Sequence, residues 1–498
     1  MTPSHIVPTG NDGLDFILHG GLPSNRLYLL EGAPGSGKTT LALEFLFGGA
    51  RRGEKGLYVT LSETRDELAA VAQSHGWDLD AFDVFELSAV EDALEESRDQ
   101  SVLHPWEMEL TATIELVERE VERVRPARVV FDSLSEMRLL AQDPLRYRRQ
   151  VLALKQFFAG RESTVVIVDD LSSSPGGRDN HLHSLCHGVI TLERVTLDYG
   201  AARRRLLIQK IRGVDFVGGY HDYMIRKGGL EVFPRLVASA RNVEVATQTL
   251  PSGVPELDAL VNGGPLRGTS MLITGPAGSG KTTIAMKYIE AACKRGEPAA
   301  IFEFDERIST MLTRSRAFGM DLEEPMREGR LNIHQIDPAE MSPGEFAARV
   351  RREVDESNAR IIVIDSLNGY IASMPEEQHL ILQMHEMLAY LSQRGVVTLL
   401  LDPQHGLVGS TATSINVSYV ADIVLLLRYF EAGGRIRKAI SVLKNRGGPH
   451  EDTIRELRID AGGVRVGAPL EEFRGVLTGS PEYTGGRARL LDERAAHA

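Results

Sequence analysis

Residues 32–39 read GAPGSGKT, and residues 275–282 read GPAGSGKT. Both satisfy G-x-x-x-x-G-K-[ST], and both stand between an apolar run (Leu27 to Leu30; Met271 to Ile273) and a stretch with helical periodicity. That strand-loop-helix setting is what the motif requires. Gly32, Gly35 and Gly37, like Gly275, Gly278 and Gly280, free the backbone to turn its N–H groups inward around a polyphosphate. Ser36 and Ser279 lie in the same loops, and the helix that follows, with Thr40 or Thr283 in its first turn, adds its positive end. Lys38 and Lys281 would reach the β- and γ-phosphates, and Thr39 and Thr282 would hold Mg²⁺. ATP with Mg²⁺ is the expected cofactor set of each loop.

A second carboxylate-bearing motif is expected downstream. The runs RVVFD and RIIVID end at Asp132 and Asp365, each followed by Ser-Leu, which suits a carboxylate in the Mg²⁺ shell. Hydrolysis also needs a base near the attacking water, expected from the end of the strand between the two motifs. Those positions read Ser62-Glu63 in the first half and Asp305-Glu306 in the second. Lys210 and Arg212, in KIRG, recur as Lys444 and Arg446, in KNRG. Cations so far along the chain often serve a neighbouring subunit's nucleotide, a finger in trans worth about 10³ to 10⁵ in rate. A basic surface hairpin is the plain alternative.

The elements that must position these residues repeat as well. Lys38 and Lys281 stand 243 positions apart, and the later landmarks keep a similar offset, so the chain is a duplication with few insertions. Each loop is followed by a helix, then strands near Gly56 to Ser62, Arg128 to Asp132 and Thr164 to Val168, or near Ala299 to Phe304, Ile361 to Asp365 and Val396 to Leu401. Strands alternating with helices imply an α/β fold, each half a mostly parallel sheet with helices on both faces. The expected division is a first domain over 1–238, a linker over 239–249, a second domain over 250–470 and a tail over 471–498.

Hydrophobic content of 42% with 25% charged residues is that of a soluble globular chain. The net charge of −13 counts against a nucleic-acid backbone as the main partner. Two cysteines, Cys186 and Cys293, give no disulfide framework, and no apolar run nears membrane-spanning length; a cytoplasmic protein is expected. His181, His183, Cys186 and His187 cluster without the spacing of a structural zinc site. The run Arg203-Arg204-Arg205 is read as a strand start or an interface, and Trp77 and Trp106 as core or interface fillers.

In this order, GAPGSGKT, VVFDSL, KIRG, GPAGSGKT, IVIDSL and KNRG resemble the KaiC family of double-domain, RecA-like P-loop ATPases. The strings HGGLP, VTLSET, SHGWDL, ARRRLLIQKIRG and DIVLLLRYFE extend the likeness over about residues 10 to 482. The resemblance implies a homo-hexamer of two stacked rings with ATP between adjacent subunits, an ATPase first ring, and a second ring with ATPase, autokinase and autophosphatase activity. Together these would make a phosphorylation-state switch. The family usually carries two adjacent glutamates where this chain has Ser62-Glu63, so the first site is expected to bind ATP more readily than it hydrolyses it, unless Glu63 takes the role. Asp305 keeps a carboxylate one bond shorter than glutamate, by about 1.5 Å, and activity is expected there.

The family's Ser-Thr phosphoacceptor pair falls on Ser418 and Tyr419, counting back from Asp422; Ser418 is the expected acceptor and Thr413 the alternative. The tail after GVLTGSPE is short and unlike an activator-binding tail, which argues against a KaiA-type partner. A KaiB-type partner on the first ring is left open. The same motifs would also serve a RecA- or DnaB-like nucleic-acid motor, against which the acidic charge counts, or an ATP-assembled signalling scaffold with little turnover.

Overall fold

The computed structural model describes residues 5–87, 105–141, 144–171, 180–197, 199–237, 247–372, 380–404, 420–477 and 482–484. Contacts divide the chain into two compact units, Met1–Arg235 and Leu236–Ala498. Leu236 therefore falls with the second unit, whose core it joins, two residues before the boundary expected at 238.

In the first unit β1 (Ile6–Val7) pairs with β2 (Leu22–Pro23), and a nine-stranded sheet follows among the described residues. Its strands are β3 (Leu27–Gly32), β4 (Gly56–Thr60), β5 (Asp83–Glu86), β6 (Arg128–Asp132), β7 (Thr164–Asp170), β8 (Gly188–Val195), β9 (Arg203–Ile211), β10 (Tyr220–Arg226) and β11 (Gly229–Phe233). The order is β11-β10-β9-β8-β3-β7-β6-β4-β5. Pairings from β8 through β5 are parallel, and β8 to β11 form an antiparallel extension. β3 is buried at every position, as a parallel strand covered on both faces must be. Its residues alternate between two cores: Tyr28 and Leu30 pack with the helices Lys38–Ala50 and Arg65–His75, while Leu27 and Leu29 pack with Pro105–Val124 and Pro144–Ala159.

The second unit repeats this with β12 (Ser270–Gly275), β13 (Ala299–Glu303), β14 (Leu331–Gln335), β15 (Ile361–Asp365), β16 (Val397–Pro403), β17 (Ile423–Ala432), β18 (Arg435–Asn445), β19 (Arg455–Asp460) and β20 (Gly463–Pro469). The order is β14-β13-β15-β16-β12-β17-β18-β19-β20. Met271 and Ile273 enter one core and Leu272 the other. Two tandem α/β units with mostly parallel sheets and helices on both faces are thus present. The stretch expected as a tail opens with packed structure: β21 (Phe473–Arg474) pairs with β22 (Glu482–Tyr483), and Val476 is buried with Leu470 and Phe430. No helix among the described residues is long and apolar enough to cross a membrane.

Candidate active sites

Each phosphate loop lies between a central strand and a long helix. Gly37 and Gly280, at φ 99° and 111°, start the helices Lys38–Ala50 and Lys281–Lys294 with no side-chain cap, leaving the first-turn N–H groups for a ligand. Neither glycine has room for a side chain: a Cβ at Gly37 would meet Ile225 at 2.9 Å, and one at Gly280 would meet Ile459 at 2.2 Å. Ser36 Oγ and Ser279 Oγ are buried inside the loops without a hydrogen-bond partner. The lysines curl back on their own loops. Lys38 Nζ donates to the carbonyls of Gly32 (3.0 Å) and Ala33 (3.2 Å), and Lys281 Nζ to those of Gly275 and Pro276 (both 2.9 Å). Orphaned hydroxyls, an uncapped helix start and a buried ammonium together fit a polyphosphate. Burial pulls the Lys281 ammonium below its ordinary value, opposed by Asp365, Asp402 and Asp305.

Asp132 and Asp365 end β6 and β15, each the second strand from the loop strand of its sheet; both are buried, and burial pushes both carboxyls up. Thr282 Oγ1 donates to Asp365 Oδ2 at 2.6 Å, so hydroxyl and carboxylate converge where a divalent cation would be held. In the first unit it is Tyr58 OH, from β4, that donates to Asp132 Oδ2, at 2.5 Å. The first unit also has a carboxylate that sequence reading missed: Asp170, closing β7, lies 2.6 Å from Lys38 Nζ. Its register partner is Gly32, and Gly275 is instead opposite Pro403, so Lys281 meets no equivalent.

The two base-bearing turns differ. Glu306 is held by Arg314 through both oxygens, at 2.8 and 2.7 Å. Asp305 is the turn carboxylate whose charge acts on Lys281 and Asp365. In the first unit Ser62 replaces Asp305, and Val71 stands where Arg314 would be. Glu63 Oε2 is buried without a hydrogen-bond partner, and burial, with Asp132 and Glu67 nearby, pushes its carboxyl up to about 7.

A family model described as the KaiC ATPase matches residues 7–237 and again 250–471. The chain belongs to the KaiC family of ATPases. It is 30% identical over 487 residues to the circadian clock oscillator protein KaiC of Synechococcus elongatus, covering 94% of this chain and 90% of that one. It is 27% identical over 484 residues to the circadian clock protein KaiC3 of Synechocystis, with 96% and 95% covered, and 28% identical over 481 residues to KaiC of Picosynechococcus, with 94% and 91% covered.

The KIRG and KNRG cations of this KaiC-family chain are not brought to their own loops. Lys210 pairs with Val189, itself level with Leu29, three residues before Gly32 and so about 10 Å short of the loop. Its Nζ donates to the His183 carbonyl, and Arg212 Nη2 to that of Ser184 at 2.7 Å. Lys444 is likewise level with Val424 and Leu272, and its Nζ donates to the Ala421 carbonyl at 2.6 Å; the Arg446 N–H bonds Asp422 O at 2.9 Å. Ser418 and Thr413 lie outside the described residues.

The histidine cluster has other work. His183 Nε2 is 2.9 Å from Glu31 Oε2, His187 Nδ1 accepts the Leu27 N–H at 3.3 Å, and Cys186 is buried with its thiol pushed up to about 12 by that burial. No group of three or more metal-binding side chains occurs among the described residues. Arg203 is buried, Arg205 sits over the Tyr220 ring beside Glu193, and Trp77 packs on Phe47. The Trp106 side chain lies outside the described residues. Sequence reading also missed two loop braces: Tyr223 OH donates to the Ser36 carbonyl and Tyr429 OH to that of Ala277. Both come from strands late in their units, too far along the chain for spacing to connect them.

Proposed function

We propose that this chain is a Mg²⁺-dependent, cytoplasmic ATPase that hydrolyses ATP at both loops, assembles as a ring with each nucleotide between adjacent copies, and phosphorylates Ser418 in its second domain. The observation that carries the hydrolytic reading is the convergence, in each unit, of a phosphate-loop lysine, a strand-end aspartate and one turn carboxylate that, unlike Glu306, is not engaged by Arg314. Lys38 or Lys281 would leave its loop carbonyls for the phosphates, with Ser36 or Ser279 and the open helix N–H groups completing the cradle. Bound Mg²⁺ would neutralise phosphate charge, held by Thr39 with Asp132 and by Thr282 with Asp365. Glu63 in the first site and Asp305 in the second would take the proton from water. Glu306, engaged by Arg314, would serve as an anchor.

The placement of Lys210, Arg212, Lys444 and Arg446 at the far end of their sheets supports a trans role, each reaching a neighbouring copy's nucleotide. The kinase part rests on the family resemblance, with Ser418 as acceptor and Thr413 as alternative. The relatives' names, circadian clock proteins, suggest a clock-type switch; a KaiB-like partner on the first ring, or a signalling partner, is left open. The intact mass of the protein after incubation with Mg-ATP tests it. A phosphate adduct that maps to Ser418 and disappears in Ser418→Ala is expected. ATP consumption with no adduct over hours would remove the kinase and leave the ATPase.

A further inference from the structure

Glu303 closes β13 at 1% exposure, the register partner of Asp365 on β15. No motif contains it. Its Oε1 accepts two successive backbone N–H groups, from Asp305 at 3.1 Å and Glu306 at 2.8 Å, while Oε2 is buried without a hydrogen-bond partner. A buried carboxyl left half satisfied costs stability that an apolar or smaller residue would avoid. Burial, reinforced by Asp365, holds this carboxyl well above the usual range.

The first unit solves the same local problem differently. Its strand ends at Thr60, whose hydroxyl accepts the Glu63 N–H at 2.9 Å and donates to the Glu63 carbonyl at 2.7 Å. The helix behind it, Arg65–His75, opens with a capping box made by Thr64 and Glu67. The helix behind the second turn, Ile308–Ala317, has Arg307 at its N-cap and no side-chain cap. The second turn thus lacks the device that fixes the first. What holds it instead is Glu303 beneath, Arg314 on Glu306, and a close wall at Gly369, where a Cβ would meet Phe304 Cβ at 2.6 Å and Asp305 Oδ1 at 3.0 Å.

We propose that Glu303 is a positioning residue of the second site: one carboxyl oxygen, bonded to two successive N–H groups, fixes the Asp305-Glu306 turn so that Asp305 faces Lys281 and Asp365 while Glu306 stays on Arg314. The proposal rests on the reading of Asp305 as the base. A shift of about 1 Å in such a group costs on the order of 10²-fold in rate. A side chain that binds only the turn's backbone should therefore act on kcat and leave ATP binding, which belongs to the loop, unchanged.

The test is steady-state phosphate release by the full chain in a Lys38→Ala background, which leaves the second site as the hydrolytic one. Glu303→Ala is expected to lower kcat by roughly 10- to 100-fold with KM for ATP within about twofold. Glu303→Gln keeps an acceptor oxygen and is expected to hold kcat within about threefold. Glu303→Thr, which carries the residue of the first unit, should fold even if the alanine variant does not, and should fall between them because a hydroxyl reaches one N–H. Parental kcat in Glu303→Ala or Glu303→Thr would overturn the proposal, as would a loss confined to KM, or Glu303→Gln falling as far as Glu303→Ala. Asp305→Asn in the same background separates the two levels. If it is as active as the parent, or if the parent is silent, the base assignment fails and the clamp with it; if it is inactive while Glu303→Ala is not, the clamp alone fails.

Discussion

Glu63 and Glu306 hold the same place in the two repeats and meet different neighbours. Arg314 engages Glu306, whereas at the first site the corresponding Val71 packs against the core and leaves Glu63 half-buried, one carboxyl oxygen enclosed, with its carboxyl raised to about 7. A base acts only when deprotonated, so turnover at the first site, isolated in Lys281→Ala, should rise as pH increases through about 7 and level off above it. Glu63→Gln in that background should lose about 10² to 10⁴ in rate and with it that limb. A pH–rate profile of phosphate release checks both. The candidate carboxylates were legible in the sequence as a strand-end pair. Which member is free was not, because that depends on a residue two helical turns later and on how the helix docks.

At the scale of elements, the helix Lys38–Ala50 carries a second titratable feature away from the phosphates. Glu44 is buried, accepts the Asn11 side-chain amide at 3.2 Å and the Leu230 N–H at 3.2 Å, and burial raises its carboxyl from 4.5 to about 8. Between those values the folded chain binds a proton that the unfolded chain does not. Stability from this group is therefore present at low pH and lost as pH rises toward 8. Thermal unfolding of the full chain should show a first transition that falls from about pH 5 to pH 8, and Glu44→Gln should flatten that slope. The parallel strands were readable because burial on both faces makes them continuous apolar runs. Of the antiparallel extension only the start of β9, at the three arginines, was readable, since its buried positions follow no strict alternation. The pairing of β21 with β22 was hidden in polar, glycine-rich sequence, and Phe473 packs on a cluster with Phe430 and Leu470 that no spacing announces.

For the whole molecule, the register of the sheets excludes Lys444 and Arg446 from their own loop unless the sheet is rebuilt, which is why a ring with sites shared between copies is the proposed assembly. Arg446→Ala and Lys281→Ala chains, each in a Lys38→Ala background, should be inactive alone. Mixed and reassembled with ATP, they should recover part of the parental turnover, because an intact loop can then face an intact arginine; no recovery would argue for sites completed within one chain. The duplication itself was plain from two loops 243 residues apart. Part of the difference between the two sites, Ser62 opposite Asp305, was also legible; the part that lies in Tyr58, Asp170, Glu303 and Arg314 was not, because none of these belongs to a motif. The most direct measurement is steady-state phosphate release by the wild-type chain, Lys38→Ala, Lys281→Ala and the double variant under identical Mg-ATP. Turnover in each single variant and none in the double variant is the expected result; a silent Lys281→Ala chain, or a double variant that still hydrolyses ATP, would contradict hydrolysis at both loops.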